Sequence, residues 1–328
     1  MKYRRLGRTG LDVSVLSLGT GGPNRLGQSR YVSRRDIDRL FGAALEHGVN
    51  FFDTSGAYES SESRLGDALQ HVSRDRYYLA SKIFPWQGDR LLTPAEIRRA
   101  VERSLRHLRV DYLDLLQLHR VLSKNYEQTR DEVLPALDKL RAEGKIRAVG
   151  ITESTTRDTT HRMLRQALND DLYDTIMVAY HPANQLAAQT LFPQAEGQDV
   201  GVIAMSVARP FISRTVTARL RLLSATLAGL VVSPPATRSR LGARLRSALT
   251  ELTRKNQARS SHPGGAVDRR LSLPEAAYAF ALTPPQVATV LTGTTDTEHL
   301  ERNVTAVTAP QLSAEEVRLL MAMARSRD

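Results

Sequence analysis

The 328-residue chain lacks the features that mark secreted, membrane and thiol-dependent proteins. It contains no cysteine, which excludes disulfides and any dithiol that could carry electrons, and no residues are spaced as a metal site. No apolar run is long and uncharged enough to span a bilayer. Because the residues after Met1 also lack the apolar core of a secretory signal, we expect a cytoplasmic protein.

Acidic residues are nearly missing from one segment, residues 213–270. It contains twelve Arg or Lys residues and two acids, a difference of +10 that accounts for nearly all of the chain's net charge of +11. The rest of the chain is close to neutral. We therefore expect a single domain, residues 1–328, that carries one basic insertion.

Four polar residues stand at or just after the ends of apolar runs that predict β-strands: Asp53, Tyr58, Lys82 and His119. Helical periodicity fills most of the sequence between these runs, which is the alternating order of a parallel α/β sheet. Such a sheet closes into a barrel, and side chains at its C-terminal strand ends converge on one rim. The runs are Val49 to Phe52, Tyr77 to Ala80 and Leu113 to Leu118.

The other elements follow from the same patterns. Leu6 to Leu18 predicts a hairpin that turns at Arg8-Thr9-Gly10. Thr93-Pro94-Ala95-Glu96 is typical of a helix start, with a capping threonine and a glutamate three residues later. Helices are predicted at 33–47, 61–70, 93–107 and 131–143. Further strands are predicted at Ile146 to Ile151, Thr175 to Ala179, Val200 to Ala204 and Val287 to Leu291.

The chemistry of the four polar residues indicates a proton donor for a carbonyl oxygen. A tyrosine hydroxyl has a pKa of about 10, and a nearby lysine ammonium favours its phenolate form. An aspartate held against that lysine offsets the burial of the cation, and His119 could fix a carbonyl beside the same oxygen. Asp53 and Lys82 alone would suit a structural ion pair equally well. Because none of these groups supplies reducing electrons, a diffusible hydride carrier would have to do so.

Several motifs resemble the aldo-keto reductase family in order and spacing. The resemblance runs from Arg4-Arg5-Leu6-Gly7-Arg8-Thr9-Gly10-Leu11 to Thr292-Gly293 and Asn303. It implies a (β/α)8 TIM barrel with an N-terminal β-hairpin at its lower end, in which NADPH or NADH reduces an aldehyde or ketone. The motifs between these limits are Asn50-Phe51-Phe52-Asp53-Thr54 with Tyr58, Leu79-Ala80-Ser81-Lys82, Asp114-Leu115-Leu116-Gln117-Leu118-His119 and Gly144-Lys145-Ile146-Arg147-Ala148-Val149-Gly150.

The resemblance also implies a role for each site residue. Tyr58 would be the general acid, Lys82 and Asp53 would tune it, and His119 would orient the substrate carbonyl. The positions implied for cofactor binding are Gly19, Thr20, Asp53, Thr152, Met177, Met205, Ser206, Thr295, Asp296, His299 and Asn303.

Some of these positions depart from the family pattern around the nicotinamide. Where the family usually has serine, asparagine and glutamine around the nicotinamide amide, this chain has Thr152, Glu153 and Met177. Thr152 retains a hydroxyl, but Met177 is a poor substitute for an amide. Met205 replaces the aromatic residue that commonly stacks on the ring, and a thioether can pack there.

The position that binds the 2′-phosphate of NADP in the family also departs from the family pattern. The family often has an arginine that grips the 2′-phosphate of NADP, whereas this chain has Thr295 followed by Asp296. A carboxylate there would repel a phosphate and could accept a hydrogen bond from a ribose hydroxyl. We expect NADPH from the family's habit, with NADH as the alternative. His299 and Asn303 stand where the family contacts adenine.

The basic insertion 213–270 follows the predicted seventh strand, and two apolar faces in it predict two amphipathic helices. It could be a solvated helical lid, which is the usual meaning of a charge run. Its arginines could face the cofactor phosphates, because in this family the loop after strand seven folds over the dinucleotide. It could also bind an acidic substrate or a partner protein. No nucleic-acid partner is expected, since the segment has no aromatic residue that could stack on a base.

Two residues are candidates for substrate binding. Trp86, the only tryptophan, follows Lys82 by four residues on a predicted rim loop. Arg120 directly follows His119 and could meet an anionic substrate or a neighbouring acid. We expect His181 to be structural, and the histidines expected on helix surfaces are His47, His71, His107 and His161.

Two functions remain open. The favoured one is NAD(P)H-dependent reduction of a carbonyl, or of an imine, in a small or medium organic molecule. The alternative is a low-activity regulatory or scaffold subunit that binds the nicotinamide nucleotide and uses the basic helices to bind a partner. The presence of all four residues Asp53, Tyr58, Lys82 and His119 favours the first function. The altered residues Thr152, Glu153 and Met177 at the nicotinamide-amide positions favour the second. The substrate itself is not specified by the sequence.

Overall fold

The fold is given by a computed structural model that describes residues 1–22, 25–28, 31–212 and 271–325. The insertion 213–270 and its two predicted helices lie outside the described residues. The described strands are β1 (Tyr3–Arg5), β2 (Asp12–Ser14), β3 (Leu16–Gly19), β4 (Phe51–Asp53), β5 (Tyr78–Ile83), β6 (Trp86–Gln87), β7 (Arg90–Leu91), β8 (Leu113–Val121), β9 (Ile146–Glu153), β10 (Thr175–Ala179), β11 (Gly201–Met205) and β12 (Val287–Thr292).

Eight of the described strands are parallel to their neighbours and close into a barrel in the order β3, β4, β5, β8, β9, β10, β11, β12. Helices connect these strands along the chain, so the predicted (β/α)8 barrel is confirmed. The described helices are α1 (Arg34–Glu46), α2 (Ser61–Leu69), α3 (Pro94–Leu108), α4 (Tyr126–Ala142), α5 (Arg162–Asp170), α6 (Leu186–Thr190), α7 (Phe192–Gly197), α8 (Arg209–Ile212), α9 (Leu273–Ala281), α10 (Thr297–Thr308) and α11 (Ala314–Arg325).

The N-terminal hairpin consists of β1 and β2, which pair antiparallel. The prediction that it extends to Leu18 was wrong, because the buried run Leu16–Gly19 pairs with β12 and β4 as a barrel strand. Gly7 lets the hairpin approach the start of β11: a Cβ there would lie 2.2 Å from the backbone nitrogen of Gly201.

Capping and packing set the helix limits. α3 begins as predicted, with Thr93 and Glu96 in a capping box and proline at the first position. α4 begins at Tyr126 rather than at residue 131, so that prediction was wrong. Tyr126 and Thr129 are buried and continue the inward stripe of the helix, so packing against the barrel extends it toward its N-terminus.

The interior of the barrel is filled by apolar side chains from its strands and from the hairpin. This filling leaves the C-terminal strand ends as the rim on which a site can form. No helix among the described residues is long and apolar enough to cross a membrane. The interior residues are Leu6, Val13, Phe51, Ala80, Leu115, Ala148, Met177, Ile203 and Ala288.

Candidate active site

The barrel brings Asp53, Tyr58, Lys82 and His119 together on its C-terminal rim, where we refer to them as the tetrad. Asp53 ends β4, Lys82 is next to the last residue of β5, and His119 lies near the end of β8. β5 pairs directly with both β4 and β8. Tyr58 is in the loop between β4 and α2.

Asp53 and Lys82 form a buried ion pair. Lys82 Nζ donates to Asp53 Oδ2 at 2.5 Å and to the carbonyl of Thr54 at 2.9 Å. Gln117 Nε2 donates to the second carboxylate oxygen at 3.1 Å. Burial raises the pKa of Asp53, and the charge and hydrogen bonds of Lys82 and Gln117 oppose that rise. These contacts hold the ammonium 5.5 Å from the centre of the Tyr58 ring.

His119 lies between Tyr58 and Ser55. Its Nε2 is 3.4 Å from Tyr58 Oη, and its Nδ1 is 3.2 Å from Ser55 Oγ. Burial, followed by the charges of Lys82 and Arg120, lowers the pKa of His119 well below its usual value, which favours the neutral ring. The single proton of the Ser55 hydroxyl can go to Nδ1 or to the Lys82 carbonyl at 3.3 Å. When it goes to Nδ1, the ring proton is on Nε2, where it can be donated to an oxygen beside Tyr58.

The loop that carries Tyr58 is fixed from two sides. A Cβ at Gly21 would lie 2.8 Å from the Tyr58 ring, so a glycine is needed for this close approach. Gln28 Nε2 donates to the Tyr58 carbonyl at 3.0 Å and to Ser61 Oγ at 2.9 Å. The phenol is therefore held in place beside His119 and the ammonium.

A family model described as the aldo/keto reductase family matches residues 15–325. The chain belongs to this family. The motif resemblance noted in the sequence is thereby confirmed, and the protein is an NAD(P)H-dependent oxidoreductase of the aldo/keto reductase type.

Named relatives agree with this assignment. The L-galactose dehydrogenase of Arabidopsis thaliana is 27% identical over 319 residues, which cover 94% of this chain and 88% of the relative. The holo form of an aldo-keto reductase from Bacillus halodurans superimposes with a TM-score of 0.69 at 27% identity, over 99% of this chain and 96% of that chain. An aldo-keto reductase of Klebsiella pneumoniae in complex with NADPH superimposes with a TM-score of 0.67 at 25% identity, over 99% of this chain and 95% of that chain.

Glu153, at a position where the resemblance predicts a contact with the nicotinamide amide, belongs to an internal pair. Glu153 Oε2 lies 2.7 Å from His161 Nδ1, and its Oε1 accepts from the backbone nitrogen of Ala179 at 2.8 Å. Both side chains are buried, and burial raises the pKa of Glu153 against the opposing effect of His161. The prediction that His161 lies on the surface was therefore wrong. Its left-handed backbone, with a φ of 59°, belongs to the turn before α5.

The other two amide positions are also engaged inside the barrel. Thr152 Oγ1 accepts from the backbone nitrogen of Arg120 at 2.8 Å. Met177 is 2% exposed and packs in the barrel interior. Neither side chain offers the amide group that the family usually has there.

The rim between β11, β12 and β3 fits a flat ring. Gly19 ends β3 next to Thr20, whose hydroxyl donates to Thr54 Oγ1 at 2.8 Å. A Cβ at Gly293 would meet only backbone carbonyl oxygens, at 3.8 Å. Half-exposed Met205 and Ser206 follow on the β11 side. Bare backbone and a thioether beside the tetrad suit a nicotinamide, and the tetrad needs the hydride that such a ring carries.

The positions predicted to contact the adenosine half lie around the start of α10. Asp296 caps this helix: its Oδ1 accepts from the backbone nitrogens of Glu298 at 2.9 Å and His299 at 3.3 Å. Asn303 Nδ2 donates to Thr292 Oγ1 at 2.9 Å. Thr295, just before the cap, is partly exposed. The carboxylate of Asp296 thus has a structural role that the sequence reading did not include.

A cavity of about 250 Å³ opens beside His119. Both predicted substrate residues, Trp86 and Arg120, line it. Trp86 Nε1 donates to Thr129 Oγ1 at 2.8 Å, which fixes the indole. No group of three His, Asp or Glu side chains in the described part of the chain could hold a metal ion.

Three residues of the site were missed by the sequence reading: Gln117, Ser55 and Phe84. Gln117 contacts Asp53, Ser55 contacts His119, and the Phe84 ring stacks on His119 at 4.3 Å between centroids. Each of the three is two positions from a tetrad residue. Because alternate residues of a strand face the same side, period-two spacing was the signal that could have found Gln117 and Phe84.

Proposed function

We propose that this protein reduces the carbonyl group of a small or medium aldehyde or ketone, with NADPH as the hydride donor. One observation carries the proposal: Tyr58 Oη lies 3.4 Å from Nε2 of His119, which lines a cavity, and the ammonium of the Asp53–Lys82 pair lies 5.5 Å from the Tyr58 ring. An imine could accept a proton from the same group.

In the proposed mechanism Tyr58 is the general acid. Its hydroxyl proton is transferred to the carbonyl oxygen, and a nicotinamide cofactor, when bound, would supply the hydride that the carbonyl carbon needs. The Lys82 ammonium stabilises the phenolate that remains, and Asp53 keeps that ammonium in place. Burial of the pair strengthens this effect because the local dielectric is low.

His119 orients the carbonyl in this mechanism. A neutral imidazole with its proton on Nε2 can donate to the carbonyl oxygen without competing with Tyr58 as a strong acid. The stacked ring of Phe84 and the hydroxyl of Ser55 hold the imidazole in position. Two donors then meet one oxygen, which favours the charge that develops on it.

The cofactor would lie along the rim between β3, β11 and β12. NADPH is proposed because the crystal structure of a related aldo-keto reductase is that of its complex with NADPH. NADH is the alternative, because Thr295 stands where the family often has an arginine and is followed by the carboxylate of Asp296. The expected cofactor contacts are Gly19, Thr20, Asp53, Thr152, Met177, Met205, Ser206, Thr295, Asp296, His299 and Asn303.

A second function is favoured by the amide positions. Glu153 is bound to His161, and Met177 is buried, so the usual polar grip on the nicotinamide is missing. A protein of this kind could bind the nucleotide as a regulatory or scaffold subunit and turn over slowly. The complete tetrad makes the reductase the better-supported function.

Tyr58→Phe separates the two functions. The variant should lose reduction by about 10²- to 10⁴-fold, because the positioned acid is removed, while its affinity for NADPH stays within a few-fold. Cofactor fluorescence measures the affinity, and loss of NADPH absorbance with an aldehyde measures the turnover. Unchanged turnover in the variant would contradict the assignment of Tyr58, and absence of turnover in the wild type would favour the scaffold.

A further inference from the structure

The cavity beside His119 has two arginines at its edge. Arg120 and Arg157 both line it, and both side chains are exposed. Neither guanidinium forms an ion pair with any residue that the structure describes, whereas Arg130, Arg141 and Arg147 do. The acid next to Arg157, Asp158, uses both oxygens to accept from the backbone nitrogens of Arg162 and Met163. The cavity therefore carries positive charge that the described residues do not neutralise.

A backbone irregularity directs Arg120 toward this cavity. Successive residues of a regular strand face opposite sides, yet His119 and Arg120 line the same space. The pairing of β8 with β9 shifts between Leu118 and Val121, and Arg120 has a left-handed φ of 55°. Thr152 Oγ1 accepts from the Arg120 nitrogen at this point. Such a conformation is unfavourable for arginine, and strain of this kind is typical of ligand-binding positions.

A buried hydroxyl in the same wall also lacks a partner. Ser154 is 1% exposed, and its Oγ has no hydrogen-bond partner within the described part of the chain. It lines the cavity together with the two arginines. Buried polar groups are nearly always hydrogen-bonded, so this hydroxyl indicates a polar ligand at the site.

The position of the cavity separates it from the dinucleotide. Its lining comes from the end of β8 and from the segments that follow β5, β8 and β9, the third, fourth and fifth strands of the barrel. Phosphate sites in such barrels are usually built by the loops after strands seven and eight. The two arginines thus lie away from the strands where the dinucleotide is expected, and the rings of Phe84 and Trp86 line the same cavity.

We propose that the enzyme selects small aldehydes or ketones that carry an anionic group, which Arg120 and Arg157 bind while Tyr58 and His119 hold the carbonyl. The proposal rests on the proposed reductase function. A cavity of about 250 Å³ lies below the range of about 300–1,000 Å³ for drug-sized ligands, which favours a compact substrate. The anionic group can be a carboxylate or a phosphate, since a guanidinium binds either through paired hydrogen bonds.

The test compares matched substrates with and without the anion. One pair is para-carboxybenzaldehyde and benzaldehyde, and the other is glyceraldehyde phosphate and glyceraldehyde. In at least one pair, the wild type should show a kcat/KM at least about tenfold higher for the charged aldehyde than for the neutral one. The pair with the larger charged-to-neutral ratio shows whether the site prefers a carboxylate or a phosphate. The advantage should fall as salt is raised, because both arginines are exposed.

Substitutions test whether Arg120 and Arg157 cause the preference for charged aldehydes. Arg120→Gln and Arg157→Gln should each lower the charged-to-neutral ratio by about tenfold, mainly through KM, and the double variant should lower it further. Arg103→Gln, which removes an exposed charge on the outer face of α3, is the matched control and should leave the ratio unchanged. A wild-type ratio near one, or a ratio that survives the double substitution, would overturn the proposal while leaving the reductase function intact. Failure to reduce any of the four aldehydes would overturn the reductase function and this proposal with it.

Discussion

Two buried acid–base pairs stand at the strand ends of this barrel, and they differ in what lies beside them. Asp53–Lys82 joins β4 to β5 with a contact of 2.5 Å, and Glu153–His161 follows β9 with a contact of 2.7 Å. Lys82 lies 5.5 Å from the centre of the Tyr58 ring, and Tyr58 contacts His119, which lines a cavity. Glu153 instead accepts a hydrogen bond from the backbone nitrogen of Ala179 with its second oxygen. Burial and pairing alone therefore do not identify a catalytic group.

The same contrast divides the rim into two halves. On the tetrad side, buried charges are arranged around two groups, Tyr58 and His119, that remain able to give protons to a ligand. In the other half, where the resemblance predicts contacts with the nicotinamide amide, Glu153 pairs with His161 and Met177 packs in the barrel interior. We infer that the first half carries the chemistry and that the second half stabilises the barrel, with the cofactor held mainly by other contacts.

The largest expected effect is that of Lys82→Met. Removing the ammonium leaves the Asp53 carboxylate buried without its partner, which should lower the free energy of unfolding by about 3–5 kcal/mol and reduce turnover by about 10²- to 10⁴-fold. Urea unfolding and steady-state rates measure the two effects. The double variant Asp53→Asn, Lys82→Met should regain much of the stability but none of the activity. If the double variant regained stability and activity to the same extent, the Asp53–Lys82 pair would contribute to activity only by stabilising the fold.

Glu153→Ala should affect stability and spare the cofactor. It leaves His161 and the Ala179 nitrogen without their partner, so we expect a loss of about 3 kcal/mol in the free energy of unfolding. Affinity for NADPH, followed by fluorescence in the folded variant, should stay within a few-fold. Glu153→Gln is the control, because its amide oxygen can still accept from Ala179. If affinity fell sharply while stability was kept, Glu153 would belong to the cofactor site after all.

The smallest effect is expected at Asp296. Asn is as good an N-cap as Asp, so Asp296→Asn should leave the stability of α10 unchanged and remove the charge that repels a 2′-phosphate. We expect the affinity ratio of NADPH to NADH to rise several-fold. Asp296→Ala should raise the same ratio but lower the free energy of unfolding by about 1 kcal/mol, because the cap is lost. An unchanged ratio in both variants would place the cofactor away from this carboxylate.

The sequence predicted the tetrad because each member follows a recognisable strand. Asp53, Lys82 and His119 end apolar runs, and the parallel order of these runs required their side chains to meet. Strand Thr175–Ala179 and the start of α3 were predicted correctly for the same reason: their signals are local.

Features that depend on tertiary packing were not predicted. The Glu153–His161 pair forms at a left-handed turn, a backbone conformation that is uncommon for residues other than glycine. The early start of α4 depends on burial of Tyr126, and the strained turn at Arg120 depends on a hydroxyl from the neighbouring strand. These are the places where contacts distant in sequence override local preference.

The most direct test of the reductase account is a single-turnover experiment with NADPH deuterated at its transferable position. The protein is premixed with the labelled cofactor and then mixed with excess para-carboxybenzaldehyde or benzaldehyde, and both NADPH absorbance and the label in the product are measured. If the protein is a reductase, each active site oxidises one NADPH and places deuterium on the former carbonyl carbon. Tight binding of NADPH without oxidation by either aldehyde would contradict the reductase account and would favour the scaffold function.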